Sequence, residues 1–331
     1  MTKILSIEDA ERLVAEALQR AFVGPAQAAS VAHALVTAET SGQGGHGLRR
    51  VAAYSAQAKV KKVDGHATPL IDMPRSATMR VDAAEGFAYP AFDLAIERAP
   101  AVIAETGVLA IGVRNSHHAG VLGLTVERFA EKGLVALMTA NAPSAMAAWG
   151  GTKPVFGTNP IAFATPIPDA EPVVIDLSLS RVARGKVMAA KQKGVAIPEG
   201  WALDKDGNPT TDADAALAGT MAPAGDAKGA ALALMVEMLS AGLTGANFAY
   251  EASSLFDDKG EPPRLGQFIL VLDPEAIGGD GALGRLGELA AMIGSEPGVR
   301  LPGRRGLEAR RKAASDGIAI EDDVMAMIEA V

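Results

Sequence analysis

Along its N-terminal part the chain alternates apolar and polar positions at helical spacing. Leu13, Val14, Ala17 and Leu18 fall on one face of a predicted helix that begins after Ser6. Ser6 is its expected cap, with Asp9 three residues on forming a near capping box. Gly24-Pro25 interrupts the pattern, and a second helix is predicted over Gln27–Thr40. The run SGQGGHG at 41–47 reads as a loop, and Leu48–Lys59 resumes as a helix. From about residue 76 short β-rich runs replace this pattern: Ala77–Asp82, Gly107–Val113, Leu134–Thr139, Ile161–Pro166, Val173–Leu177 and Phe268–Leu272. Helical runs, Phe92–Glu105 and Leu122–Lys132, lie between some of them, so the body is predicted to be α/β (α+β). Ile197–Leu217 is turn-rich and reads as a long surface excursion. Gly229–Leu243 is the most apolar helical stretch; it carries Glu237 and is expected to be a buried helix. The part from 281 to 331 is mostly helical, with breaks at Pro297-Gly298 and Pro302-Gly303.

Composition narrows the function classes. The chain has 331 residues, of which 49% are hydrophobic, enough for a sizeable core in one large domain or two. A net charge of -8 argues against a nucleic-acid partner, because phosphate binding needs a basic face. There is no cysteine, which excludes disulfides, thiol chemistry and Cys-ligated metal, and fits a reducing, cytoplasmic setting. The apolar run near the N-terminus is too short for a signal peptide core. No window reaches ~18 uncharged apolar residues, so no membrane span is expected.

Two stretches match G-x-G-x-x-G, and context argues against both as dinucleotide fingerprints. Gly42/Gly44/Gly47 follows a helix rather than a strand. Gly279/Gly281/Gly284 follows a strand that ends too early for a tight turn, with no acidic strand end ~20 residues on. Candidate chemistry lies elsewhere. His46 is flanked by glycines, which let a substrate approach its ring, and Arg50 stands four residues on, where a helix would put both on one face. A guanidinium can grip a carboxylate while an imidazole passes a proton to a developing alkoxide. His117-His118-Ala119-Gly120 follows a predicted strand and suits an anion or cofactor loop. Asn141-Ala142-Pro143, Gly157-Thr158-Asn159-Pro160 and Ile175-Asp176-Leu177-Ser178 fall at strand edges, where ordinary turn chemistry is the competing explanation. Lys228-Gly229 opens the apolar helix, where N–H groups can hold an anion. No clustered carboxylates accompany the histidines, and no metal is expected.

Taken in order, these stretches resemble the malate/L-lactate dehydrogenase type-2 family. That family includes sulfolactate, ureidoglycolate and diketogulonate enzymes and the Δ1-pyrroline- and Δ1-piperideine-2-carboxylate reductases. The carriers are His46-Gly47-Leu48-Arg49-Arg50, Ser116-His117-His118-Ala119-Gly120, Gly150-Gly151, Gly157-Thr158-Asn159-Pro160, Ile175-Asp176-Leu177-Ser178, Ala183-Arg184-Gly185-Lys186, Pro198-Glu199-Gly200-Trp201, Lys228-Gly229 and Leu301-Pro302-Gly303. The resemblance implies a non-Rossmann, malate/sulfolactate dehydrogenase-like fold. In it, 76–280 forms an NAD(P)-binding mixed sheet domain, 1–75 with 281–331 forms a helical domain, and two chains make a homodimer. It implies His46 as proton donor and Arg50 and Thr158 as substrate contacts. Cofactor contacts would fall on His118, Ala119, Gly120, Asp176, Leu177, Ser178, Lys228, Gly303, Arg304 and Arg305.

One position departs from the pattern: the family's Ser before the His is Gly45 here. Asp226, which stands where a Gly commonly precedes Lys-Gly, is a candidate to orient His46 instead. The implied reaction moves a hydride between nicotinamide and a small 2-hydroxy or 2-oxo acid of the malate, lactate or sulfolactate kind. Reduction of cyclic imino acids is the alternative, because both substrates need a carboxylate grip and a proton donor. A cofactor-binding homologue with impaired catalysis is a third reading. Arg304 and Arg305 can neutralise a 2′-phosphate, which tilts the expected cofactor from NADH towards NADPH.

Overall fold

The computed structural model describes residues 3–331. The chain opens with strand β1 (Lys3–Leu5) and helices α1 (Ile7–Arg20), α2 (Pro25–Thr40) and α3 (Val51–Lys59). Then come β2 (Leu70–Arg75), β3 (Thr78–Asp82), α4 (Ala88–Thr106), β4 (Val108–Ser116), α5 (Leu122–Ala130) and β5 (Val135–Ala140). The middle section adds β6 (Met146–Ala147), β7 (Pro154–Phe156), β8 (Ile161–Ile167), β9 (Ala170–Leu177), α6 (Arg184–Lys193), β10 (Ala202–Leu203), β11 (Pro209–Thr210), α7 (Ala213–Ala218), β12 (Thr220–Met221) and α8 (Ala227–Glu237). The chain finishes with β13 (Leu265–Leu272), α9 (Pro274–Gly278), α10 (Ala282–Gly294), α11 (Arg304–Asp316), β14 (Ile318–Ile320) and α12 (Asp322–Glu329).

Seven strands form the main sheet in the order β2-β3-β4-β13-β5-β8-β9. Only β3 and β4 run parallel; the other neighbours are antiparallel. The late strand β13 occupies the centre, pairing Ile269 with Ile111 of β4 and with Met138 of β5. The sheet therefore closes only when the distant C-terminal part arrives. Both glycine triplets lie outside a strand–turn–helix unit: the first spans short 3₁₀ turns after α2, and α9 separates β13 from the second.

Local signals explain the elements that the pattern predicts. Ser6 Oγ accepts the Asp9 N–H at 3.0 Å, and α1 buries Ala10, Val14, Ala17 and Leu18. Pro25 sits in the first turn of α2, where its missing N–H costs nothing. The elements that the pattern misses have weak signatures. β2 is an edge strand containing Pro74 and burying little, so it lacks a clean alternation. β1 and β14 are three residues each and pair only with one another, joining the two ends of the described chain. The polar helix α6 buries only Val187. The 197–217 excursion folds into part of a small sheet, β11-β10-β12, with α7 capped by Asp212.

The apolar cores do not part at residues 75 and 280, where the sequence pattern changes. One core joins α1–α4, α12 and the main sheet, from Ala10 through Ile111 and Ile269 to Ile328. A second core, from Ala145 to Val236, lies under the middle section. The apolar helix at 229–243 departs from expectation. Of α8 only Gly229, Ala230, Ala233, Val236 and Glu237 are buried, while Leu232, Leu234 and Met235, and Met238 just beyond it, are exposed. Its uniform apolarity thus serves one inward face and one outward face. No helix among the described residues is long and apolar enough to cross a membrane.

α8 runs into a wider π-type turn, Met238–Gly242, that presses against β13. A Cβ on Gly266 would lie 1.8 Å from the Ser240 carbonyl oxygen, so only glycine fits there. Gly266→Ala is expected to destabilise the fold by at least about 1–3 kcal/mol, because the obstacle is backbone. Thermal unfolding checks this; an unchanged midpoint would contradict the packing described.

Candidate active site

The Gly44–His46 turn is shaped by α2. Glu39 accepts the Leu48 N–H at 2.8 Å, and a Cβ on Gly47 would lie 3.1 Å from the Glu39 Cα. The chain therefore passes close over the end of α2, which turns His46 inward. Its Nδ1 is buried with no hydrogen-bond partner among the described residues. Its ring stacks on His118, with centroids 5.1 Å apart. Burial first, and the Arg50 charge second, push the His46 imidazole down to about 4, so the ring is neutral near pH 7.

Arg50 sits where a 3₁₀ turn, Leu48–Arg50, passes into α3. Its Nε donates to the Gly45 carbonyl at 2.9 Å, and its guanidinium carbon lies 4.9 Å from the centre of the Phe256 ring. One edge of the guanidinium is thus fixed and one face is covered. The terminal nitrogens make no hydrogen bond or ion pair among the described residues, which leaves a fork able to take a carboxylate.

His118 follows β4 and is held from below. Tyr54 Oη lies 2.6 Å from His118 Nδ1 and 3.2 Å from Tyr89 Oη. Burial raises both tyrosines, so both hydroxyls keep their protons. Gly120 is required above this pair, since a Cβ there would meet Tyr89 Oη at 2.5 Å. His117 packs edge-on against Tyr54 and Phe87, and neither of its ring nitrogens has a partner among the described residues. Burial, with Arg50 and Lys62 adding to it, lowers His117 to about 3.

The other candidate residues form two neighbouring groups. Asp176, at the end of β9, accepts the Gly123 N–H at the start of α5 at 2.8 Å, and burial raises its carboxyl. A cavity of about 410 Å³ lies beside it, lined by Ser41, Gln43, Gly123, Asp176, Gly303 and Arg305 among others. A Cβ on Gly303 would lie 3.0 Å from Val174, and its φ of 83° also favours glycine, so a side chain would crowd this wall. The cavity has the first turn of α5 at one side and is lined by a carboxylate and by guanidinium groups, groups that could hold the sugar and phosphates of a dinucleotide. Arg304 diverges from Arg305: it points to the Glu171 carbonyl and lines a separate groove against α10.

In the second group Ser178 Oγ donates to the Thr158 carbonyl at 3.3 Å. Asn159 donates to the Ala233 carbonyl and to Glu237 of α8, both within 2.9 Å, which fastens the Gly157–Pro160 turn to that helix. Lys228 lies in the first turn of α8; its backbone N–H donates to the Gly225 carbonyl at 3.3 Å, and its side chain makes no hydrogen bond or ion pair among the described residues. A Cβ on Gly229 would meet the Ala224 carbonyl oxygen at 1.9 Å. Thr158, Ser178 and Lys228 make no hydrogen bond, ion pair or ring contact with His46 or Arg50. Asp226 pairs with Arg181 at 2.7 Å and not with His46, so the suggestion that it replaces the missing serine finds no contact here. The space over Gly45 is empty within 4 Å of an added Cβ.

Sequence reading missed Tyr54, Tyr89, Lys62 and Phe256. Each reaches the site by a tertiary contact, and none carries a local motif.

The depressed histidines have a consequence for stability. Their folded values lie below the ordinary 6.5, so the unfolded chain binds more protons as pH falls. Stability is full above about 6.5 and is lost as pH falls through about 4 and about 3. His117→Phe forfeits no hydrogen bond and removes one such group. Its melting temperature is expected to fall less than that of the parent between neutral pH and about pH 4, followed by calorimetry. An identical fall would contradict the burial of a neutral, unpartnered ring.

A sequence profile described as malate/L-lactate dehydrogenase matches residues 5–329. A (2R)-3-sulfolactate dehydrogenase (NADP(+)) of Chromohalobacter salexigens is 51% identical over 312 residues, covering 94% of this chain and 93% of that one. A Δ1-pyrroline-2-carboxylate/Δ1-piperideine-2-carboxylate reductase of Pseudomonas putida is 38% identical over 317 residues, covering 94% and 92%. The crystal structure of a Δ1-piperideine-2-carboxylate reductase from Pseudomonas syringae superposes with a TM-score of 0.94 at 35% identity, covering 99% of each chain.

Proposed function

The chain belongs to the malate/L-lactate dehydrogenase family, and we propose that it is an NADPH-preferring oxidoreductase acting on a small 2-hydroxy or 2-oxo acid of the sulfolactate type. The observation that carries the reading is the Arg50 fork beside the neutral, half-buried His46, whose Nδ1 is shut off from solvent. The nicotinamide supplies or accepts the hydride at the substrate's C2. Arg50 takes the carboxylate, which presents the C2 oxygen to His46. In oxidation the neutral His46 is ready to accept the hydroxyl proton. In reduction it must first be protonated. Burial is the main cause that holds His46 down; a carboxylate docked on Arg50 offsets the smaller part that comes from the guanidinium charge, and so favours loading the proton. Hydride on C2 and proton on O2 together give the 2-hydroxy acid.

Thr158 is proposed as a further substrate contact. His118, Ala119, Gly120, Asp176, Leu177, Ser178, Lys228, Gly303 and Arg305 are proposed to hold the cofactor. The separation of Arg305 from Arg304 supports assigning the 2′-phosphate to Arg305. A cytoplasmic homodimer is proposed as the working form. The exposed Leu232 and Met235 on α8 and Met238 just after it support self-association, since apolar side chains in a row favour a covering partner. Cyclic imino acid reduction is the second reading, favoured by the likeness to the two reductases.

NAD(P)H absorbance with 3-sulfopyruvate, oxaloacetate, pyruvate and Δ1-pyrroline-2-carboxylate decides between them. Highest kcat/KM with 3-sulfopyruvate is expected; preference for the imine would select the second reading, and no turnover would leave a cofactor-binding homologue. Arg305→Ala is expected to weaken NADPH roughly 10- to 100-fold, as loss of one charge-assisted contact does, and to spare NADH. Arg304→Ala serves as the control. Equal effects on both cofactors would refute the assignment.

A further inference from the structure

Lys62 is the most deeply buried charged side chain near the site, with none of its side chain exposed. It lies in the run Lys59-Val60-Lys61-Lys62, which reads as a solvated surface. Lys61 adopts the left-handed region (φ 61°), and this turn directs the next side chain inward. Lys62 Nζ donates to the carbonyls of Ser254 (2.6 Å), Asp257 (3.0 Å) and Lys259 (2.5 Å), and lies 3.4 Å from the Asp257 carboxylate. Three carbonyls match the three N–H donors of a lysine and offset the cost of burying it.

All these acceptors lie on one segment, Ser253–Gly260. Gln57 Nε2 donates to the same Asp257 carbonyl at 2.9 Å. Within the segment, Ser253 Oγ donates to the Glu261 carbonyl at 2.6 Å and Ser254 Oγ accepts the Phe256 N–H at 3.1 Å. The segment is thereby strapped along α3, from Lys62 beyond its C-terminus to Arg50 at its N-terminus. Its tip, Phe256, places its ring against the Arg50 guanidinium and remains 45% exposed. Without that ring, only the bond from Nε to Gly45 would restrain the guanidinium.

We propose that Phe256 is the positioning residue for the carboxylate anchor Arg50, and that buried Lys62 holds Phe256 in place through the Ser253–Gly260 strap. The proposal rests on the reading of Arg50 as the carboxylate grip. It makes the strap part of the substrate site although no residue of it carries a recognisable motif. The ring fixes the plane of the fork, so that both terminal nitrogens meet a planar carboxylate without first losing torsional freedom.

The test uses full-length enzyme loaded with NADP⁺, and oxalate as an unreactive carboxylate probe, with calorimetric Kd. Phe256→Ala is expected to weaken oxalate roughly 2- to 30-fold, the range of a guanidinium–ring contact. KM for the best substrate of the panel should rise by a similar factor with kcat little changed. Phe256→Tyr, which keeps the ring, should restore both. Affinity for NADPH and the melting temperature should match the parent in both variants. Lys62→Met should weaken oxalate as Phe256→Ala does, with a lower melting temperature. The double variant Lys62→Met/Phe256→Ala should bind oxalate no worse than Phe256→Ala alone. Arg50→Met is the reference. If it weakens oxalate while Phe256→Ala does not, or if Phe256→Tyr fails to restore binding, the positioning role is overturned and the anchor stands. If Arg50→Met leaves oxalate binding unchanged, the anchor reading fails and this proposal falls with it.

Discussion

Arg50 holds a fixed positive charge beside the His46 ring, which burial keeps neutral and which lacks a partner at Nδ1. Much of the surrounding structure serves that pair. Glu39 shapes the turn that carries His46, the Gly45 carbonyl and the Phe256 ring restrain Arg50, and Tyr54 steadies His118 beneath the imidazole stack. An isolated charge next to a neutral base is an unstable arrangement for a substrate-free site only if water is shut out. Here the Arg50 fork stays open at its terminal nitrogens, so a carboxylate can complete it. In the proposed reaction the same carboxylate would shift the proton balance of His46 in the direction that reduction needs.

The candidate residues lie at the ends of elements. His46 lies between α2 and α3, His118 after β4, Asp176 at the end of β9 and Thr158 before β8. Because β13 sits between β4 and β5, the loop beginnings on both sides of the sheet centre depend on a strand from late in the chain. The strap that carries Phe256 lies a few residues before β13, so both come from the same late part of the chain.

Much of this was legible in the sequence for reasons that can be named. Glycines around His46 and the four-residue spacing to Arg50 pointed to these two residues, and although the segment is a pair of 3₁₀ turns the Arg50 charge still acts on the His46 ring. Strands facing the core carried dense β-branched runs and were read with small shifts at their ends. The Gly303 turn and Asp176 were suggested by resemblance, and the cavity between them could not be seen from spacing. Lys62 was illegible because a lysine among lysines looks solvated, and only the φ of Lys61 and three distant carbonyls make it a core residue. The outward face of α8 was misjudged because hydropathy does not distinguish burial within the chain from an apolar face left outward.

On this reading a carboxylate on Arg50 raises the proton affinity of His46. Proton uptake on oxalate binding tests it most directly, measured by calorimetry of the NADP⁺-loaded enzyme in buffers of different ionisation enthalpy, at a pH about one unit above the free value of about 4. Net uptake of a fraction of a proton is expected, absent in His46→Gln. Oxalate binding with no proton uptake, or uptake that persists in His46→Gln, would contradict the account.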